Sequence, residues 1–210
     1  MIKRAFDFVA SALGLIALSP LLAVLAILVK LTSRGPILYR GVRAGRNGVP
    51  LRILKFRTMV ADAEKVGGPT TSDDDERVTK IGLLMRRFKL DELPQLFNVL
   101  SGTMSLVGPR PEVLSEVAEY SPEQLRALEM RPGITDWASI WNCDEGAVLS
   151  GAANPHAAYK ERIQPSKLRL QIKYRDEHSF SMDMKIIFYT LRKMVDKGWV
   201  PRELRRYGKP

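Results

Sequence analysis

At 210 residues the chain can bury a core of its own, as one domain or one domain with an anchor, and is too short for a large multidomain assembly. Lys and Arg number 33 against 23 Asp and Glu, a formal charge of +10 that points to a polyanionic partner: nucleic acid, an anionic membrane or a phosphorylated substrate. Hydrophobic residues make up 45%, which excludes broad disorder, and the single Cys143 excludes an intrachain disulfide and any zinc-finger spacing, so a domain facing the cytosol fits best.

The first element is apolar. From Phe8 to Val29 there are 22 residues without a charge, and as a helix they would measure about 33 Å at ~1.5 Å per residue, close to the bilayer core. The run is too long for a typical secretory signal core and no clear small-x-small cleavage site follows it. Lys3 and Arg4 precede the run, Lys30 and Arg34 follow it, and basic flanks prefer the cytoplasm, so both ends favour the same side. Ser19-Pro20 stands near the middle. Proline removes a backbone donor and kinks a helix, and the serine hydroxyl can bond the freed carbonyl. A re-entrant helix-break-helix dipping into one leaflet satisfies both observations; a kinked span and a buried hairpin of helices stay open on the residues alone. Asp7, one turn from Lys3 and Arg4, is expected to pair with them.

Two short β-like runs flank Asn47-Gly48, a strong turn signal, and predict a hairpin rich in Arg and Lys. Gly41, Gly45 and Gly48 match neither a dinucleotide fingerprint nor a P-loop. Gly67-Gly68-Pro69 and the acidic run to Glu76 read as a flexible loop whose Asp73, Asp74 and Asp75 are solvated. Ile81 to Lys89 is helix-like. Then Leu93, Leu96, Phe97 and Leu100 recur at helical spacing, and Pro94 is tolerated only in a first turn, which puts Asp91 or Glu92 at a helix N-terminus. Two readings follow. The acids cap the helix and complement its dipole, which periodicity alone favours, or Asp91 stays ionised beside Arg86 and Arg87 as a carboxylate able to attack phosphorus.

Gly108-Pro109-Arg110-Pro111 is a stiff loop that would aim the Arg110 guanidinium, and Arg131-Pro132-Gly133 repeats the idea. Alternation from Lys167 to Tyr174 reads as a strand, and Met184 to Val195 as an amphipathic helix. With Trp199, Tyr207 and the basic tail, that helix suits a membrane surface or a plain core helix with a solvated tail. His156 and His178 have no metal-ligand spacing.

Taken together, Lys3-Arg-Ala-Phe-Asp7, Ser19-Pro20, Gly35-Pro36, Lys55-Phe-Arg-Thr-Met59, Arg77-Val-Thr-Lys-Ile-Gly82, Leu90-Asp-Glu-Leu-Pro-Gln95, Asn98-Val-Leu-Ser-Gly-Thr-Met-Ser105, Val107-Gly-Pro-Arg-Pro111 and Arg131-Pro-Gly-Ile-Thr135 strongly resemble the bacterial sugar transferases, the monotopic polyprenol-phosphate phosphoglycosyl transferases, in their small single-domain form. The resemblance implies an α+β, mainly helical fold: a re-entrant membrane segment over residues 1–34, then a cytosolic, membrane-associated catalytic domain over 35–210 with a small hairpin and interfacial amphipathic helices. It implies transfer of a phosphosugar from a UDP-sugar to polyprenyl phosphate, releasing UMP, at the cytoplasmic face of the bacterial inner membrane, with anionic lipid headgroups as neighbours.

By the same resemblance Asp91 is the covalent nucleophile, Glu92 belongs with it to the magnesium-diphosphate site, and Arg86 and Arg110 bind phosphate. Lys55, Arg57 and Arg131 match further basic positions, and Ser19 and Pro20 the helix break. One-step transfer with Asp91 as base or Mg2+ ligand, and a non-catalytic scaffold, are the alternatives. No helix-turn-helix or RNA-binding signature supports a nucleic-acid partner. The sequence leaves a homodimer open. The resemblance frays after Thr135, where this chain reads Asp136-Trp-Ala-Ser-Ile-Trp-Asn-Cys-Asp-Glu145. It returns at Tyr174, Ser179, Asp183 and Thr190, implying helix where the alternation reads strand.

Overall fold

The computed structural model describes residues 2–63 and 75–208; apart from Asp75 and Glu76, the acidic loop lies outside them. Helix α1, Ile2–Thr32, runs without interruption through Ser19 and Pro20. Pro20 has no N–H to give the Ile16 carbonyl, and the Ser19 hydroxyl donates to that carbonyl instead, at 2.8 Å. The chain thus stays helical on both sides of the expected break, with one backbone rung lost at Pro20. Its outer face is bare: Leu13, Ile16, Val24, Ile27 and Leu31 are all exposed.

The other face docks. Leu25 and Val29 are buried against Phe56 and Met85. Near the N-terminus the expected pairing of Asp7 with Lys3 and Arg4 does not form. Asp7 is buried and accepts from Ser105 Oγ at 2.7 Å and the Leu106 amide at 3.1 Å. Lys3 Nζ bonds Asp183 at 2.9 Å, and Arg4 donates to the carbonyls of Val99 and Leu100. Carboxylates and carbonyls distant in sequence stabilise these charges more than mutual pairing at the surface would, because a buried charge needs a complete set of partners.

Strands β1, Leu38–Ala44, and β2, Pro50–Phe56, form the expected antiparallel hairpin, with Leu38 opposite Phe56 and Ala44 opposite Pro50. Its turn has φ of 56° at Asn47 and 76° at Gly48, the left-handed region that these two residue types tolerate. Helix α2, Lys80–Arg87, starts from a Thr79 cap on the Gly82 amide. It ends where Lys89 takes φ 56°, so the helix is shorter than the Ile81–Lys89 reading. A single turn of 3-10 helix follows, Leu90–Glu92, and then α3, Gln95–Leu100, with Pro94 immediately before it.

Strands β3, Ser105–Val107, and β4, Gly133–Thr135, pair in parallel. Short helices α4, Leu114–Val117, and α5, Pro122–Leu125, lie between them. After β4 come α6, Trp137–Trp141, α7, Glu145–Leu149, and α8, Pro155–Ala158. Helices α9, Gln164–Glu177, and α10, Phe180–Val195, complete the main core, in which Val107, Ile140, Leu149, Ile163, Tyr174 and Ile186 are buried.

Helix α9 corrects the strand read from alternation over Lys167 to Tyr174. Its buried residues are Lys167, Leu168, Leu170, Gln171 and Tyr174, a helical stripe. Hydropathy counts Lys167 and Gln171 as outward, but an ion pair to Glu112 and a hydrogen bond to Asp136 draw them in. Helix α10 is amphipathic as expected, with Ile186 buried and Phe188, Leu191, Met194 and Val195 exposed.

The two stiff loops meet at a pair of glycines. A Cβ on Gly133 would fall 2.1 Å from the Gly108 amide nitrogen, and one on Gly108 would fall 2.3 Å from the Arg131 carbonyl. Gly133→Ala should therefore destabilise by about 1–3 kcal/mol through overpacking, whereas Gly198→Ala, whose Cβ would meet only Asp196 at 3.4 Å, should stay within about 0.5 kcal/mol. Thermal unfolding of both variants in one detergent checks this; equal midpoints would refute the close packing.

Candidate active site

A broad cleft of about 2200 Å³ lies between the hairpin, the α2–α3 region and the segment after β4. This exceeds the roughly 300–1,000 Å³ that suits one small ligand. Gly14 and Leu18 of α1 line it too, so the cleft reaches the apolar helix.

Asp91 and Glu92 sit in it on the 3-10 turn, 6% and 8% exposed. The left-handed Lys89 turns the chain sharply from α2 into that 3-10 turn, and strained backbone of this kind gathers at functional sites. Capping does not explain the two acids: neither the turn nor α3 has a side-chain cap.

Their surroundings separate them. Glu92 receives Lys55 Nζ at 2.8 Å on Oε1 and Arg110 Nη1 at 2.9 Å on Oε2, and Arg110 Nη2 also bonds Oε1. Burial resists ionisation of Glu92, but Arg110 and then Lys55 outweigh it and hold the carboxyl well below its usual range. Glu92 in turn raises Arg110, while burial pulls Lys55 down against the attraction of Glu92. Asp91 goes the other way. Burial, and next the Glu92 charge, push its carboxyl up, opposed by Lys55, Arg86 and Lys89. Its Oδ1 is shielded from solvent and has no hydrogen-bond partner; the nearby Gln95 Nε2 is in the same state. Adjacent acids with opposite shifts suit different tasks, one electrostatic and one reactive.

Arg86 lines the cleft with its Nε on Thr58 Oγ1 at 3.0 Å. Arg57 lines it while Nη2 bonds both the backbone and side-chain oxygens of Ser33 at 2.7 Å, which ties β2 to the end of α1; its Nε and Nη1 are buried without partners. Lys55, Arg57, Arg86, Asp91, Glu92 and Arg110 thus come together. Arg131 does not: it is exposed and outside the cleft lining, because its loop packs through its backbone against Gly108. Ser19 and Pro20 lie on α1, outside the lining.

Among the described residues no cluster of three or more His, Cys, Asp or Glu is placed to enclose a metal. Of the two expected ligands, Asp91 offers an unpartnered oxygen, whereas both oxygens of Glu92 are engaged by Arg110 and Lys55. A hard cation with a preference for oxygen fits at Asp91 if substrate phosphates and water supply the remaining ligands.

Several residues not singled out from sequence support the site. Glu112 accepts from Tyr159 OH at 2.6 Å and Lys167 Nζ at 2.7 Å, fastening the loop of Arg110 to α9. These partners are 47 and 55 residues away, so no local spacing could show them. Asp136 accepts from the Arg110 amide at 3.2 Å and from Gln171 at 3.1 Å while capping α6 through the Ser139 amide. An acid just before an apolar helical run was a usable cap signal, but its hold on Arg110 was not.

A sequence model of the bacterial sugar transferases matches residues 1–197. The chain belongs to this family. It is 40% identical over 200 residues to the undecaprenyl-phosphate glucose phosphotransferase of Komagataeibacter xylinus, covering 92% of this chain and 36% of that protein. It is 38% identical over 206 residues to the UDP-glucose:undecaprenyl-phosphate glucose-1-phosphate transferase of Escherichia coli, covering 95% and 40%. Against the exopolysaccharide production protein PSS of Rhizobium leguminosarum bv. phaseoli the identity is 38% over 205 residues, covering 94% and 97%. This bacterial sugar transferase thus spans well under half the length of the first two relatives and nearly all of the third.

The Glu112 contact makes a pH prediction. Burial opposes its charge, but Lys167, with hydrogen bonds from Lys167 and Tyr159, holds its carboxyl at about 2. A carboxyl depressed on folding stabilises above its unfolded value near 4.5, here by about 3 kcal/mol, and that stability is lost as pH falls toward 2. Glu112→Gln should lower the unfolding midpoint at pH 7 and flatten its decline between about pH 4.5 and 2. An unchanged decline by tryptophan fluorescence would refute the assignment.

Proposed function

We propose that this bacterial sugar transferase is a phosphoglycosyl transferase, moving sugar 1-phosphate from a UDP-sugar to polyprenyl phosphate and releasing UMP. The observation that carries it is the unpartnered, sheltered oxygen of Asp91 beside a Glu92 neutralised by Lys55 and Arg110, in an arginine-lined cleft that reaches an apolar helix. The relatives' names, which join sugar phosphate transfer to undecaprenyl phosphate, support the same reading.

The steps follow from charge. Arg86 and Arg110 offset the charge of the incoming diphosphate. Asp91 Oδ1 attacks the phosphorus that bears the sugar; an aspartyl O–P bond forms, the diphosphate P–O bond breaks, and UMP departs with the electron pair. A phosphate oxygen of the polyprenyl phosphate then attacks the same phosphorus, releasing the Asp91 carboxylate and the polyprenyl diphosphate sugar. Splitting a difficult exchange in two is the advantage of a covalent route. Mg2+, held by the second carboxylate oxygen of Asp91 with phosphate oxygens and water, would supply Lewis-acid neutralisation of the diphosphate and leave Oδ1 to attack. Gln95, whose Nε2 lacks a partner, is available to donate to a phosphoryl oxygen.

The placement proposed is monotopic, at the cytoplasmic face of the inner membrane, with residues 1–34 re-entrant and 35–210 catalytic. Contacts at both ends of α1 support it: Lys3 and Arg4 bond the same body as Ser33, and a straight span would carry one end away. The exposed apolar residues of α1 and of α10 complete a lipid-facing surface. On this reading the reaction begins surface glycan assembly.

UMP release in nanodiscs containing undecaprenyl phosphate, Mg2+ and a panel of UDP-sugars tests the chemistry. Asp91→Asn should lower turnover on the order of 10³-fold or more, and wild-type protein given donor alone should gain the mass of one sugar phosphate. Turnover without that adduct would favour one-step transfer; an active Asp91→Asn would overturn the nucleophile. For topology, single cysteines replacing Ile2 and Ser33, in a Cys143→Ser background, should both react only from the cytoplasmic side. Reaction from opposite sides would establish a span.

A further inference from the structure

Phosphoryl transfer does not account for the wall of the cleft built after Thr135, where the family resemblance frays. Helix α6 ends at Trp141, and Asn142 and Glu145 follow it along the cleft lining. Both amide atoms of Asn142, Oδ1 and Nδ2, are shielded from solvent, and neither has a hydrogen-bond partner. Leaving a donor and an acceptor both unmet is costly for folding, so the pair is poised for a ligand that both donates and accepts. Glu145 stands within electrostatic reach of Arg110, which clasps Glu92, and of Lys167. The wall therefore lies on the Arg110 side of the same cleft.

Its chemistry suits one part of the donor. A phosphate only accepts, and the Glu145 charge and Asn142 Oδ1 would oppose it. A sugar hydroxyl donates and accepts, matching the amide of Asn142 and the carboxylate of Glu145. The nucleobase has donors and acceptors too, but ribose and a second phosphate separate it from the phosphorus under attack. The sugar is bonded directly to that phosphate. We propose that Asn142, with Glu145 beside it, reads the hydroxyl pattern of the donor sugar and so selects which sugar is transferred. The proposal rests on the transfer reading above and deepens it.

The test compares kcat/KM by UMP release for UDP-glucose, UDP-galactose and their N-acetylamino counterparts, using wild-type, Asn142→Ala and the near-isosteric Glu145→Gln proteins in nanodiscs. The preferred donor should lose about 10- to 100-fold, because a site built to bond a hydroxyl discriminates strongly when the bond is made. Its advantage over the epimer should shrink at least about tenfold, while inhibition by UMP shifts less than about twofold. Equal losses for all donors would indicate a merely structural role and overturn the proposal, as would unchanged ratios in both variants. A parallel loss of UMP inhibition would assign the wall to the nucleotide and also overturn it. Wild-type silence with every donor would instead overturn the transfer reading, and this proposal with it.

Discussion

The clasp of Lys55 and Arg110 on Glu92 is the interaction on which the rest of the site depends. Two adjacent acids in one buried turn repel each other and lose hydration together, so both cannot be left alone. By engaging the two oxygens of Glu92, the cations stabilise one charge fully and leave Asp91 Oδ1 sheltered and unmet. Removing either cation would leave a buried carboxylate short of partners, a far larger loss than that of a surface ion pair.

Much of the fold serves to deliver those cations. Lys55 comes from β2, whose hairpin register is set by a turn at Asn47 and Gly48. Arg110 comes from a loop held from three sides: Gly108 against the backbone around Gly133, the Arg110 amide on Asp136, and Glu112 on Lys167 and Tyr159. These contacts limit the freedom of the guanidinium, which is what makes a two-pronged bond to a carboxylate strong.

The apolar helix is joined to the same framework. Arg57 lines the cleft immediately after β2 and also bonds Ser33, while Asp7 bonds β3, two residues upstream of the Arg110 loop. The cleft is thereby held in register with α1 by polar contacts at both of its ends. On the transfer reading proposed above, this coupling would bring the lipid-borne acceptor and the soluble donor to one depth.

The sequence alone determined whatever depends on neighbours along the chain. A run of 22 uncharged residues specified α1, Asn47-Gly48 specified the hairpin, and the motifs from Lys55 to Arg110 named most of the residues that gather at Asp91. The alternation from Lys167 to Tyr174 misled, because hydropathy treats Lys167 and Gln171 as outward while distant acids draw them inside. Asp7 shows the same effect, leaving nearby Lys3 and Arg4 for Ser105. Only the tertiary structure decided the partners of Glu92, the exclusion of Arg131 from the cleft, the parallel pairing of β3 with β4 and the unmet amide of Asn142. Periodicity and motif spacing record local preference, whereas the energy of a buried charge or amide is set by groups that folding brings from far along the chain.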